Sequence, residues 1–183
     1  MFQPHSPTRV IGLAALAVAA TALGSAPAKA DSSTGTIGVS LNVNASCMVN
    51  GAAMASSLGQ IGSIAFTDQS GIFGDTSAQL VATGGGNAIS VLCSPGLTPS
   101  LTIGTGAHDD SGVHRMASGS NMLPYHLYSD AGATDEITIN QQISLGTATT
   151  TAFSVPLYAH VNSGGVILPA GSYTDTIQVT LNW

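Results

Sequence analysis

The stretch "GSYTDTIQVTLNW", residues 171–183, decides the fold. Ile177, Val179, Leu181 and Trp183 alternate with Thr176, Gln178, Thr180 and Asn182, the period of a β-strand with one apolar and one polar face. The apolar face has to be covered, and the fold turns on what covers it. A second stretch of the same kind stands near the other end, where Ile37, Val39, Leu41 and Val43 alternate with Gly38, Ser40, Asn42 and Asn44. The polar residues "DSSTG" before it, 31–35, carry no signal for a packed element and read as a flexible lead.

Between these two stretches, short alternating runs recur with turn residues separating them, which predicts an all-β sandwich rather than alternating strands and helices. The runs fall at 36–46, 62–69, 78–83, 88–94, 100–105, 125–130, 136–140, 152–161 and 174–183. Gly84-Gly85-Gly86-Asn87 reads as a tight connection, because Gly and Asn tolerate positive φ. No internal repeat or Pro-rich linker divides the chain.

The opening "MFQPHSPTRVIGLAALAVAATALGSAPAKA", residues 1–30, has a basic start at Arg9, an apolar run from Val10 and small residues before a cut after Ala30. It reads as a secretory signal peptide, leaving residues 31–183 as one domain's worth of chain. Beyond the leader, Arg115 is the one basic side chain against nine acids, a balance that argues against nucleic acid and anionic membrane as partners. The two cysteines, Cys47 and Cys93, sit in an exported chain, where a pair closes as a disulfide.

The sequence holds no constellation for catalysis. It contains no G-x-S-x-G elbow, no H-E-x-x-H and no Cys/His metal spacing, so the expectation is a protein that is not an enzyme and uses no cofactor or metal. "HDDSGVH", residues 108–114, gathers His108, Asp109, Asp110 and His114, but its Gly/Ser-rich surroundings predict a solvated loop. His126, beside Tyr125 in a strand, reads as half-buried and structural, since no nucleophile pairs with it. Asn44-Ala45-Ser46 matches a glycosylation acceptor too short to carry weight.

Taken in order, "GTIGVSLNVNASC", "GQIGSIAF", "AISVLC", "YHLYSDA", "VPLYA" and "GSYTDTIQVTLNW" resemble the spore coat protein U domain family. Its best-understood members are the pilins of archaic (Csu-type) chaperone-usher pili. The resemblance implies an incomplete immunoglobulin-like β-sandwich lacking its last strand, completed by a donor strand from another subunit. Domain organisation would be a signal peptide at 1–30, a donor-strand extension at 31–44 and the sandwich domain at 45–183. The donor residues would be Ile37, Val39, Leu41 and Val43. The strand flanking the acceptor groove would carry Ile177, Val179, Leu181 and Trp183.

Implied partners are a periplasmic chaperone, an outer-membrane usher and other copies of the chain in a head-to-tail fibre. The implied route is export through the periplasm to the cell surface, in support of adhesion and biofilm formation. Residues 176–183 carry no charge, Pro or bulge signal to blunt an edge, which fits a strand built to be paired. A donor at one end and an acceptor at the other make a heterologous contact, whose natural product is a filament. A spore coat structural protein and a secreted closed β-sandwich binding module are the competing readings.

Overall fold

A computed structural model describes Lys29, residues 31–55 and residues 57–183. The leader expected over 1–30 lies, Lys29 apart, outside the described residues. The chain divides into a first unit ending at Leu41 and a second, Asn42–Trp183, which carries all the described strands.

Those strands are β1 (Cys47–Val49), β2 (Ala52–Ala53), β3 (Gly62–Ile64), β4 (Thr76–Ala82), β5 (Ile89–Cys93), β6 (Ser100–Ile103) and β7 (His114–Ser118). They continue with β8 (Asn121–Tyr128), β9 (Glu136–Ile137), β10 (Gln141–Ser144), β11 (Phe153–Val155), β12 (Tyr158–Val161) and β13 (Val179–Asn182). Among the described residues there is no helix, so the all-β expectation holds. Every pairing is antiparallel.

Three sheets form around one core. The first runs β11-β5-β1-β2, the second β3-β4-β12-β8-β7 with β9 added on β8, and the third β10-β6-β13. Alternation places the core residues: Ile89, Val91 and Cys93 of β5 are buried while Ser90 faces out, and Leu123, Tyr125 and Leu127 of β8 are buried while Met122, Pro124 and His126 are exposed. Leu101 and Ile103 of β6 bring the third sheet into the same cluster. Pro124 is tolerated in β8 because β12 pairs with that strand only from Tyr125 onward, so Pro124 meets β7 alone, opposite Arg115.

Several connections change sheet. The run 152–161, expected as one strand, is two: β11 pairs with β5 in the first sheet and β12 with β4 and β8 in the second. Pro156 stands between them, and without an N–H it cannot continue a ladder. Gly84 to Gly86 likewise carry the chain from β4 in the second sheet to β5 in the first, with φ of 89°, 97° and 97°. The turn is closed by Ala82 N–H donating to Gly86 O at 2.9 Å and Gly85 N–H to Ala82 O at 2.9 Å. Gly85→Ala has open space for its methyl but the wrong backbone. It is expected to cost about 1–2 kcal/mol, read as a lowered urea midpoint.

Cys47 and Cys93 are bonded, as expected, and they are direct partners across β1 and β5. The N-terminal run differs from expectation. Described residues 31–46 form no strand, because an alternating segment without a partner has no ladder to join. Ile37, Val39, Leu41 and Val43 are 91, 92, 85 and 83% exposed.

Candidate functional site

The terminal segment of 174–183 begins in one sheet and ends in another. Thr174 exchanges two backbone hydrogen bonds with Ala117 of β7, at 2.9 and 3.0 Å. Gln178 N–H then donates to Thr105 O, and β13 continues on β6 in the register Val179↔Ile103, Thr180↔Thr102, Leu181↔Leu101, Asn182↔Ser100. The strand expected over 174–183 is therefore a bridge at Thr174, a crossing at 175–177 and a ladder from Val179. Among the described residues β13 pairs with β6 and with no strand on its other edge.

Beside that segment lies a cleft of about 900 Å³. Ile177, Val179, Leu181 and Trp183 line it, so the four residues singled out from the sequence come together in one place. Leu58, Ile61, Ile64 and Phe66 also line it, with Leu101, Ile103 and Leu127 of the core. Ile177, Val179 and Leu181 are half-buried rather than covered, and Trp183 is 48% exposed. A half-covered apolar recess of this size is a feature of interaction and ligand-binding surfaces. Ile64 and Phe66 fall in the run expected at 62–69, whereas Leu58 and Ile61 precede it at a spacing of three, which breaks the period of two that makes a strand readable.

A polar cluster adjoins the cleft where the terminal segment crosses between sheets. The Asp175 carboxylate accepts from Ala107 N–H at 2.9 Å and from Tyr125 O–H at 2.7 Å, and faces His108 Nδ1 at 3.3 Å. Asp109 accepts from Gly106 N–H at 2.7 Å and faces His114 Nδ1 at 2.9 Å. His114 stacks on the Tyr125 ring with centroids 5.4 Å apart. Burial above all pushes the Tyr125 phenol well above the ordinary tyrosine range, helped by its bond to Asp175 and by the Asp175 and Asp109 charges.

The expectation of a solvated loop at 108–114 is corrected here. His114 is 3% exposed and opens β7, because Tyr125 stacks on its ring and Asp109 holds Nδ1, while Asp110, Ser111 and Gly112 reach well into solvent and the His108 side chain is partly open. Asp109, His114 and Asp175 offer ligand atoms within 4.8 Å of one another, a set that could take a divalent ion. The same carboxylate oxygens already accept protein hydrogen bonds, which accounts for both acids as a polar tie, while His114 Nε2 is buried without a partner.

His126 is also more open than expected. Its side chain is 47% exposed on the outer face of β8, with Nδ1 2.6 Å from Glu136. His160 faces Asp75 at 3.0 Å and meets the Tyr128 ring edge-on. Neither imidazole stands near a hydroxyl or thiol nucleophile in the contacts it makes.

No curated protein matches the chain. The model of the Spore Coat Protein U domain matches residues 33–180, spanning both the exposed alternating run and nearly all of the terminal strand. The chain is thus a member of the Spore Coat Protein U domain family.

Proposed function

We propose that this protein is a structural subunit of a surface pilus, assembled by a chaperone-usher pathway through donor-strand complementation. The observation that carries the reading is the edge of β13, unpaired among the described residues and lying along an apolar cleft. The family includes Csu-type pilus subunits, which supports the reading. On this reading a periplasmic chaperone covers the cleft first, and Ile37, Val39, Leu41 and Val43 of the next subunit replace it as the usher adds that subunit.

The reading is of a structural protein and not an enzyme. Its product is an exported fibre suited to adhesion and biofilm formation. Four exposed aliphatic side chains on a segment with no strand of its own are costly unless a partner takes them up, and four apolar side chains line the cleft from the terminal segment. The period of two fixes the register, since a slip by one residue turns all four donors away.

Leu41→Asp tests the donor assignment. Placing a carboxylate against an apolar wall costs several kcal/mol, so the variant is expected to lose fibres altogether while its chaperone-bound subunit stays folded. Electron microscopy of the cells and circular dichroism of the chaperone complex read the two halves. Normal fibres from the variant would remove Leu41 from the donor set.

A further inference from the structure

We propose that Asp175 is a positioning residue that sets the register of the terminal strand on β6, and through it the shape of the cleft. This rests on the cleft being the acceptor for a donor strand. Between Thr174, bonded to Ala117, and Gln178, bonded to Thr105, the three crossing residues belong to no ladder. What holds the crossing is the Asp175 side chain. It is 3% exposed and takes donors from both directions, Ala107 N–H in the loop after β6 and Tyr125 O–H in β8 of the second sheet.

The geometry admits one register. Asp175, Ile177, Val179 and Leu181 lie on the same side of the segment, so the carboxylate and the apolar row are placed together or displaced together. A slip by one residue would bury Thr174 or Thr176 where the carboxylate sits, leave Ala107 N–H and Tyr125 O–H one hydroxyl oxygen in place of two carboxylate oxygens, and point the apolar row outward. A slip by two would bring Tyr173 or Ile177 to the same place, and neither carries an acceptor that can serve both donors. The seat also fits closely: a Cβ on Gly106 would collide with Asp175 Oδ2 and with Asp109 Oδ1.

Register is separable from stability by cross-linking. Thr102 and Thr180 are direct partners across β6 and β13, so the cysteine pair T102C/T180C reports the native register and T102C/N182C a slip of two. Both pairs are placed in the full chain with Asp175, Asp175→Ala or Asp175→Asn, and mild oxidation products are mapped by mass spectrometry. Fluorescence polarisation of a labelled peptide of residues 33–45 reads the cleft in the same proteins. Tyr125→Phe, which removes one of the donors and leaves the carboxylate, is the milder companion should Asp175→Ala not fold.

With Asp175 the native pair should dominate. Asp175→Ala should raise the slipped pair to comparable yield and weaken peptide binding by at least roughly tenfold. Asp175→Asn, whose amide can accept from Ala107 N–H and donate to the Tyr125 oxygen, should restore most of both, and Tyr125→Phe should fall between. Unchanged cross-linking and binding in Asp175→Ala, or in Tyr125→Phe where only that variant folds, would overturn the register role while leaving the acceptor reading intact. Failure of the unaltered chain to bind the peptide would overturn the acceptor reading itself.

Discussion

Moving residues 31–44 from the front of the chain to a position after Trp183, through a flexible linker, is expected to give a stable monomer where the native arrangement self-associates. The reason is the cleft. Burying four aliphatic side chains is worth about 6–12 kcal/mol before the cost of ordering the segment, and the half-buried row Ile177, Val179 and Leu181 gains cover at the same time. Joining the segment covalently turns a contact between molecules into one within a molecule, at an effective concentration in the millimolar range for a short linker. A net gain of about 3 kcal/mol would raise Tm by roughly 6–12 °C.

Light scattering gives the size and calorimetry the unfolding temperature. If the native chain is itself a monomer and the rearranged chain melts at the same temperature, the sandwich is closed at home. The protein would then be a secreted binding module, and the exposed run 37–43 would need another explanation.

Removing the disulfide is the second large effect. Replacing Cys47 and Cys93 by Ser opens a loop with a sequence separation of 46 residues, which should cost about 4 kcal/mol through the freedom regained by the unfolded chain. Set against a domain stability of about 5–15 kcal/mol, that loss leaves little margin, especially for a domain whose cleft is uncovered. The urea midpoint should fall by more than about 1 M, given a slope of about 1–3 kcal/mol per molar, and a reductant should reproduce the effect in the unaltered protein. An unchanged midpoint would mean that the β1–β5 ladder holds the two strands without covalent help.

The sequence was most readable where side chains alternate on a two-sided strand. β5 and the Tyr125–Tyr128 end of β8 fall inside the expected runs because buried and exposed positions strictly interleave there. β7, "HRMAS", escaped notice because its buried anchor is a histidine, which no hydrophobic pattern would place inward. Its burial depends on Asp109 and Tyr125, one in a loop and the other in the next strand, and such a dependence leaves no periodic trace.

The terminal strand shows both sides of this. Its apolar row was legible and all four members reach the cleft. The split of the same segment between two sheets was not legible, because the partners of Asp175 lie 50 and 68 positions away in the chain. The wall of Leu58, Ile61, Ile64 and Phe66 was legible only in part, through the run at 62–69: of the four, only Ile64 lies in a strand, so the wall is built largely from chain that obeys no ladder.

The position of the Cys47–Cys93 bond determines how the domain would bear mechanical load. Cys47 opens the first strand, four positions after Val43, so tension applied through the N-terminal segment enters the domain almost at once at a covalent link to β5. The chain between the two cysteines is then bypassed by the force. At about 3.3–3.6 Å per extended residue, a separation of 46 residues is roughly 150 Å of slack that cannot be drawn out while the bond is intact. Under such a pull the domain would lengthen only from the side of Cys93 that leads to β6 and beyond, which leaves the hairpin of β1 and β2 and the wall of the cleft at 58–66 outside the path of extension.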